Sequence, residues 1–297
     1  MTGIPPVRKL VLIGTGLIGG SFALDLKRLG LAEHIAGIDT DGGNLERALA
    51  GGIIDSAHAE ICARSVSGAD FVLIATPVSA LPAVCRALAP HLAAGAVVCD
   101  TGSTKQSSLA AFAACLPQHL PDCVAAHPAA GSERHGASAA RHGLFAGNRL
   151  VICPHPAQNP QAEIRAAALW QAVGAQVCRM DAAVHDTVFA AVSHLPHLLA
   201  FSYVAQILAR PDAEACFANA ASGFRDFTRL ASSSPALWRD ICLDNRAALA
   251  GLVRGQIEQL EHIEALLHNN DGEGLYRCFE QAKRARDQWL EGREKAV

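Results

Sequence analysis

The sequence predicts an α/β domain built on a parallel sheet, followed by an all-α domain. Three observations predict it. Short apolar runs ending on glycine or polar residues recur through residues 1–180, separated by helix-length stretches. From Asp181 onward the apolar residues instead fall into long steps of three and four. The first half also opens on a stretch that reads as strand, glycine turn and helix. The domains are therefore expected over residues 1–180 and 181–297.

At 297 residues, 51% of them apolar, the chain can bury two cores without metal or disulfide staples. A net charge of -3 excludes the basic footprint of a nucleic-acid binder, and no run of like charges suggests a tail. The ten cysteines are scattered, form no CxxC pair and mostly sit in apolar runs, where they act as small hydrophobes. The N-terminus lacks the basic-then-apolar layout of a secretion signal. No uninterrupted apolar span of about 20 residues is evident. A soluble protein of a reducing cytoplasm, with no membrane or nucleic-acid partner, is expected.

Residues 9–30, KLVLIGTGLIGGSFALDLKRLG, set the first element. An apolar strand ends at Gly14, and a helical period begins at Leu17. Gly14, Gly16 and Gly19 match GxGxxG: the first makes the turn, the second admits a pyrophosphate, and the third lets helix pack on strand. The helix N-terminus at Leu17 and Ile18 would face the phosphates. The next strand, IAGID, ends at Asp39, twenty residues beyond Gly19, where a carboxylate accepts hydrogen bonds from ribose hydroxyls. That carboxylate repels a 2′-phosphate, so this Rossmann-type pattern favours NAD, with NADP possible.

Further strands are expected at residues 70–76, 96–101, 123–127, 149–154 and 175–180. Ligands in such sheets bind beyond the carboxyl ends of the strands. That rule picks out Thr76 and Pro77, Asp100 to Ser103, and His127 with Pro128. On the residues alone, Ser103 serves equally as a helix N-cap, and His127 as a turn-fixing group. In the second half, Ser234 and Pro235 supply a cap and first-turn proline for a helix running towards residue 270. Such an amphipathic helix forms a dimer surface or packs on its neighbours. Arg225 and Arg229, four apart, would share one helical face.

Five segments together resemble the prephenate dehydrogenase family: GTGLIGGS, DTGSTK (100–105), HPAAGSE (127–133), HDTVFAAVSHLPH (185–197) and FRDFTRLASSSPALWRDI (224–241). The likeness runs from about residue 9 to 246. It implies a Rossmann-type domain followed by a helical dimerisation domain, in an arrangement like the C-terminal part of 6-phosphogluconate dehydrogenase. It also implies oxidation and decarboxylation of prephenate or arogenate, a homodimer, and tyrosine as a possible feedback ligand. The serine before Pro235 departs from the acidic or amide residue common there. The chain stops soon after its helical domain, so neither a fused mutase nor a regulatory domain is expected.

The resemblance makes His127 the catalytic base, a role suited to an imidazole neutral near pH 7. It makes Ser103 a partner of the substrate hydroxyl, and Arg229 the fork that grips the ring carboxylate. His197 would reach the substrate side chain, with His194 and Asp186 supporting the pocket and Trp238 packing near it. Glu133 would lie near the pocket entrance, and Arg225 is expected to pair with a local acid such as Asp226. His185, Asp186, His194 and His197 also supply metal-ligand types. Their spacing crosses Pro196, and hydride transfer with a base needs no metal, so none is expected. The alternatives are another oxidoreductase of this architecture, such as a β-hydroxyacid dehydrogenase, or a non-catalytic NAD-sensing dimer.

Overall fold

The structure, a computed structural model, describes residues 4–132 and 134–294. Glu133 lies outside the described residues. Eight strands form one sheet: β1 (Val7–Ile13), β2 (Ala32–Ile38), β3 (Ser56–His58), β4 (Phe71–Ile74), β5 (Val97–Asp100), β6 (Cys123–Pro128), β7 (Arg149–Cys153) and β8 (Gln176–Arg179). Their spatial order is β3-β2-β1-β4-β5-β6-β7-β8. Neighbours from β3 through β6 pair in parallel.

Two features correct the sequence expectation. β7 runs antiparallel to β6, and β8 returns parallel to β7, so the sheet is mixed. A parallel neighbour needs a crossover element. Among the described residues the β6–β7 connection holds only the 3-10 turn Ala137–Ala139, whereas β7 and β8 are joined through the helix Pro160–Ala172. The edge strand β3 was not expected, because its three residues, Ser-Ala-His, carry no apolar run.

Strand alternation divides the apolar residues between two faces. Leu10, Leu12, Phe71 and Leu73 join Phe22, Phe145 and Trp170 on one side. Val11, Ile13, Val72, Ile74 and Val98 join Leu81, Leu88 and Phe112 on the other. Burial on both faces is what makes the strands read as continuous apolar runs. Because β1, β4, β5 and β6 are parallel, their carboxyl ends share one edge, and the glycine turn and His127 lie there.

The helical part begins with Ala182–Phe189, continues through a π-helical turn, Ala190–His194, and runs on as Leu195–Leu208. The combined stretch of 27 residues is long and apolar enough, by length and composition, to cross a membrane, which the sequence reading did not anticipate. It nevertheless buries His185, Asp186 and His194, polar groups hydrogen-bonded within the protein. The helix capped by Ser234, whose side chain accepts from the Leu237 amide, is Pro235–Asp244. It stops at Asn245, and a second helix, Arg246–His268, follows, so the single helix expected from residue 235 is two. The last helix is Gly272–Glu294. The chain divides into two compact units between Arg246 and Ala247, so the helices of 182–244 share a unit with the sheet.

Candidate active site

Gly14 has φ +90°, and a Cβ there would collide with the Ala75 carbonyl; at Gly19 it would collide with the Gly14 carbonyl. Both glycines are therefore demanded by the chain's own packing. Gly16 differs. A Cβ on it would meet nothing nearer than the Gly136 nitrogen, 4.0 Å away, so its smallness serves open space above the turn. Leu17 and Ile18 begin the helix Leu17–Arg28 behind that space. The residues fit a dinucleotide pyrophosphate.

Asp39, just past β2, is half-buried and anchored chiefly through one oxygen. Its Oδ2 accepts from the Thr15 amide (3.0 Å), the Thr15 hydroxyl (2.9 Å) and Asn44 Nδ2 (2.8 Å), and its Oδ1 from the Asp41 amide (3.1 Å). Burial pushes its carboxyl up, but these bonds outweigh it and hold it below the usual carboxylate range. Asn44 in turn accepts the Ala137 amide at 2.6 Å. Past β4, the Thr76 hydroxyl is buried without a partner and Pro77 is exposed.

The segment after β5 is organised by two carboxylates. Asp100 is buried against the fully buried Lys105 at 2.5 Å, and it also accepts the Gly102 amide, the Ser108 hydroxyl and the Ala126 amide. Lys105 Nζ donates onward to the Ala126 carbonyl (2.7 Å), fixing the strand that carries His127. The helix Gln106–Cys115 is not capped by Ser103, as the sequence allowed; Lys105 holds the N-cap position. Asp186, arriving from the helical part, accepts the Lys105 amide (2.7 Å) and the Gln106 amide (3.0 Å). A carboxylate suits the positive end of a helix and satisfies its orphan amides. Ser103 sits partly exposed in the turn between β5 and that helix.

His127 is buried at 8% exposure. Its Nδ1 lies 2.9 Å from His185 Nε2, and His185 Nδ1 lies 2.8 Å from Asp186 Oδ1. Phe189 stacks on the His185 ring at 4.4 Å and tilts against His127 at 4.6 Å. Burial, and then the neighbouring His185, Lys105 and His194, push the His127 imidazolium well below the usual histidine value, so the ring is neutral near pH 7.

His194 Nδ1 meets Asn245 Nδ2 at 3.2 Å, and the same amide donates to the Asp186 carbonyl at 2.7 Å. His197 Nδ1 rests on the Ser193 carbonyl (2.9 Å), and its ring lies flat on Trp238, with centroids 3.5 Å apart and planes 18° apart. Burial lowers the His197 pKa, the Ser193 carbonyl opposes, and the charge of Arg229 nearby lowers it further. Arg225 and Arg229 do not share a helix. The helix Ser222–Thr228 ends first, and Arg229 opens the 3-10 turn Arg229–Ser232. Arg225 pairs with Asp226 at 3.7 Å, and Arg229 is exposed beside His197.

The structure thus gathers His127, Asp186, His194 and the segment after β5, and separately stacks His197 on Trp238 near Arg229. Sequence reading gave no role to Asn44, Lys105 or Asn245, took Asp100 only as a polar strand end, and weighed His185 only as a metal-ligand type. Each has a partner between 26 and 93 residues away, from Ala126 on Asp100 to Ala137 on Asn44, which local pattern does not report. The one local signal was His185-Asp186, a polar pair inside an apolar helical run.

A glycine turn at a parallel-sheet edge, a ribose-type carboxylate and a neutral buried histidine define an NAD(P)-dependent dehydrogenase. Residues 22–179 match the family profile described as prephenate dehydrogenase, nucleotide-binding domain, and residues 181–281 match its dimerization domain. The chain is 32% identical to the cyclohexadienyl dehydrogenase of Zymomonas mobilis, over 94% of this chain and 95% of the relative. It is 35% identical to the prephenate dehydrogenase of Bacillus subtilis, over 94% and 75%. The crystal structure of Aquifex aeolicus prephenate dehydrogenase with hydroxyphenyl propionate and NAD+ superposes with a TM-score of 0.87 at 30% identity, covering 95% of this chain and 98% of that one. Arogenate dehydrogenase from Synechocystis gives 0.76 at 25% identity, covering 95% and 100%. The chain belongs to the prephenate dehydrogenase family.

Proposed function

We propose that the protein oxidises and decarboxylates prephenate in tyrosine biosynthesis, with NAD as hydride acceptor and arogenate as the alternative substrate. The observation that carries the reading is His127, a buried neutral imidazole whose Nδ1 faces His185 at 2.9 Å, which leaves Nε2 on the opposite edge of the ring. It stands at the end of a strand parallel to the one that feeds the glycine turn. Bound NAD supplies an acceptor for the hydride from the hydroxyl-bearing ring carbon. His127 Nε2 takes the proton of that hydroxyl as the hydride leaves. The bond to the ring carboxylate then breaks as carbon dioxide departs. Its electron pair enters the ring, and the oxygen regains a proton.

Arg229 grips the ring carboxylate through two parallel N–H bonds. His197, braced on Trp238, contacts the substrate side chain, and His194 lines the pocket behind it. Ser103 orients the reacting hydroxyl. Holding the ring between cofactor and His127 supplies much of the rate by positioning. The exposed apolar row Val184, Val188 and Val192, four residues apart, is a surface for the homodimer that the dimerization profile implies. Tyrosine, a product of the same shape, is a candidate feedback ligand of this site, and a cytoplasmic location fits the free thiols.

Absorbance of reduced nicotinamide tests the reading, with NAD or NADP against prephenate or arogenate. Turnover with NAD and prephenate is expected, with NADP slower because Asp39 repels its 2′-phosphate. His127→Asn should lose at least about 100-fold in kcat with little change in substrate affinity, the scale of a removed general base. Arg229→Ala should raise KM steeply. No turnover in any combination, with NAD binding verified, would defeat the assignment.

A further inference from the structure

Resting on that reading, we infer that His185 and Asp186 are positioning residues that set which nitrogen of His127 is the base. The hydrogen-bond inventory fixes the direction. Asp186 Oδ1 and Oδ2 already accept two backbone amides, so the group acts as an ionised acceptor. Burial pushes its carboxyl up, but the bonds from His185, Lys105 and Gln106 prevail and keep it below the usual carboxylate value. His185 Nδ1, 2.8 Å away, therefore donates.

A neutral imidazole that donates from Nδ1 has only a lone pair on Nε2. His185 Nε2 must then accept, and its partner at 2.9 Å, His127 Nδ1, must donate. His127 is left with its lone pair on Nε2, the edge away from His185. A reversed chain would put the proton on Nε2 and remove the base. As His127 takes the substrate proton it becomes an imidazolium. The Nδ1–H bond to His185 then strengthens, with the Asp186 carboxylate one ring behind to balance the charge.

Among the described residues, the charged or titratable groups acting on His127 are His185, Lys105 and His194, with Lys105 paired to Asp100 and Phe189 packed on both the His127 and His185 rings. Lys105 and the other histidines disfavour a charged His127. Asp186 is the acid that reaches it by hydrogen bonds, through His185.

His185→Phe keeps a ring to stack on Phe189 but cannot accept from His127. His185→Gln restores an acceptor oxygen towards His127 and a donor towards Asp186. Nitrogen-15 NMR of histidine-labelled enzyme should show His127 protonated on Nδ1 in the parent, with that preference lost in His185→Phe. Kinetically, His185→Phe should lose about 100-fold in kcat, with KM for substrate and NAD within about threefold, measured below its melting temperature, which should fall because two buried groups lose a partner. Amide replacement of a carboxylate one bond nearer its histidine costs about 10⁴ in serine proteases, which bounds the effect. His185→Gln should recover at least about tenfold of the loss. A His127 protonated on Nε2 in the parent enzyme would overturn the inference, as would a His185→Phe variant with parental kcat. The NMR reading needs no turnover, so its failure is distinct from failure of the substrate assignment.

Discussion

Asn44 shows how a single side chain can couple two parts of the proposed cofactor site. Its amide hydrogens go to Asp39 and the Thr15 hydroxyl, and its oxygen takes the Ala137 amide from the loop beyond β6. Asn44→Ala removes both the brace on the ribose-type carboxylate and the tie to that loop. A hydrogen bond to a charged group contributes about 1.5–3 kcal/mol, so KM for NAD should rise about tenfold while kcat at saturating cofactor stays within about twofold. Initial rates at varied NAD check this, and an unaltered KM would leave Asn44 a merely structural residue. Asp39 and Gly14 were legible in the sequence because each follows from a spacing rule. Asn44 was not, since nothing local says that residue 44 meets residue 137.

At the scale of elements, the segment between β5 and the helix Gln106–Cys115 is held by ions taken out of water. The side chains of Lys105 and Asp100 are 0% and 2% exposed, and the pair binds β6 through the Ala126 amide and carbonyl. Breaking a buried pair leaves an uncompensated charge and costs about 3–5 kcal/mol. Asp100→Asn should therefore lower the urea midpoint by that equivalent, and a loss under about 1 kcal/mol would contradict the account. The sequence marked this stretch as a polar strand end and left Ser103 open between a helix cap and a partner of the substrate. It did not show that a carboxylate from residue 186 would take the cap, because tertiary partners displace local ones without leaving a mark in the pattern. Likewise β3 and the reversal at β7 escaped, one through shortness and the other because strand direction is set by the connection.

For the whole molecule, the buried histidines make folding sensitive to acid. Burial lowers the pKa of His194 from 6.5 to about 4, with Asp186 opposing and the neighbouring histidines assisting, and His127 shifts in the same direction. In the unfolded chain both rings take up protons near pH 6.5. Between that value and about 4 the unfolded state binds more protons, so stability falls as pH drops through the window. His194 alone accounts for about 3 kcal/mol of that loss. Urea midpoints between pH 7.5 and 4.5 should decline accordingly, and a flat series would contradict the burial of these rings. The two-part architecture was legible because the apolar period changes near residue 181, whereas the compact division at Arg246 reflects packing that no period records.

The π-helical turn Ala190–His194 has a further consequence, in angular terms. His185 and His194 are nine positions apart, and at about 100° per residue a plain α-helix would put them on opposite faces, about 180° apart. A π turn absorbs one residue, which brings them to within about 80°. Both are buried, at 0% and 1% exposure. The helix therefore keeps its two halves in phase by being one residue too long. Trimming one residue from Ala190 to Ser193 would leave eight steps of plain α-helix, again about 80°, and so keep His194 in phase with His185. Inserting one there instead would swing His194 and His197 together to the far side.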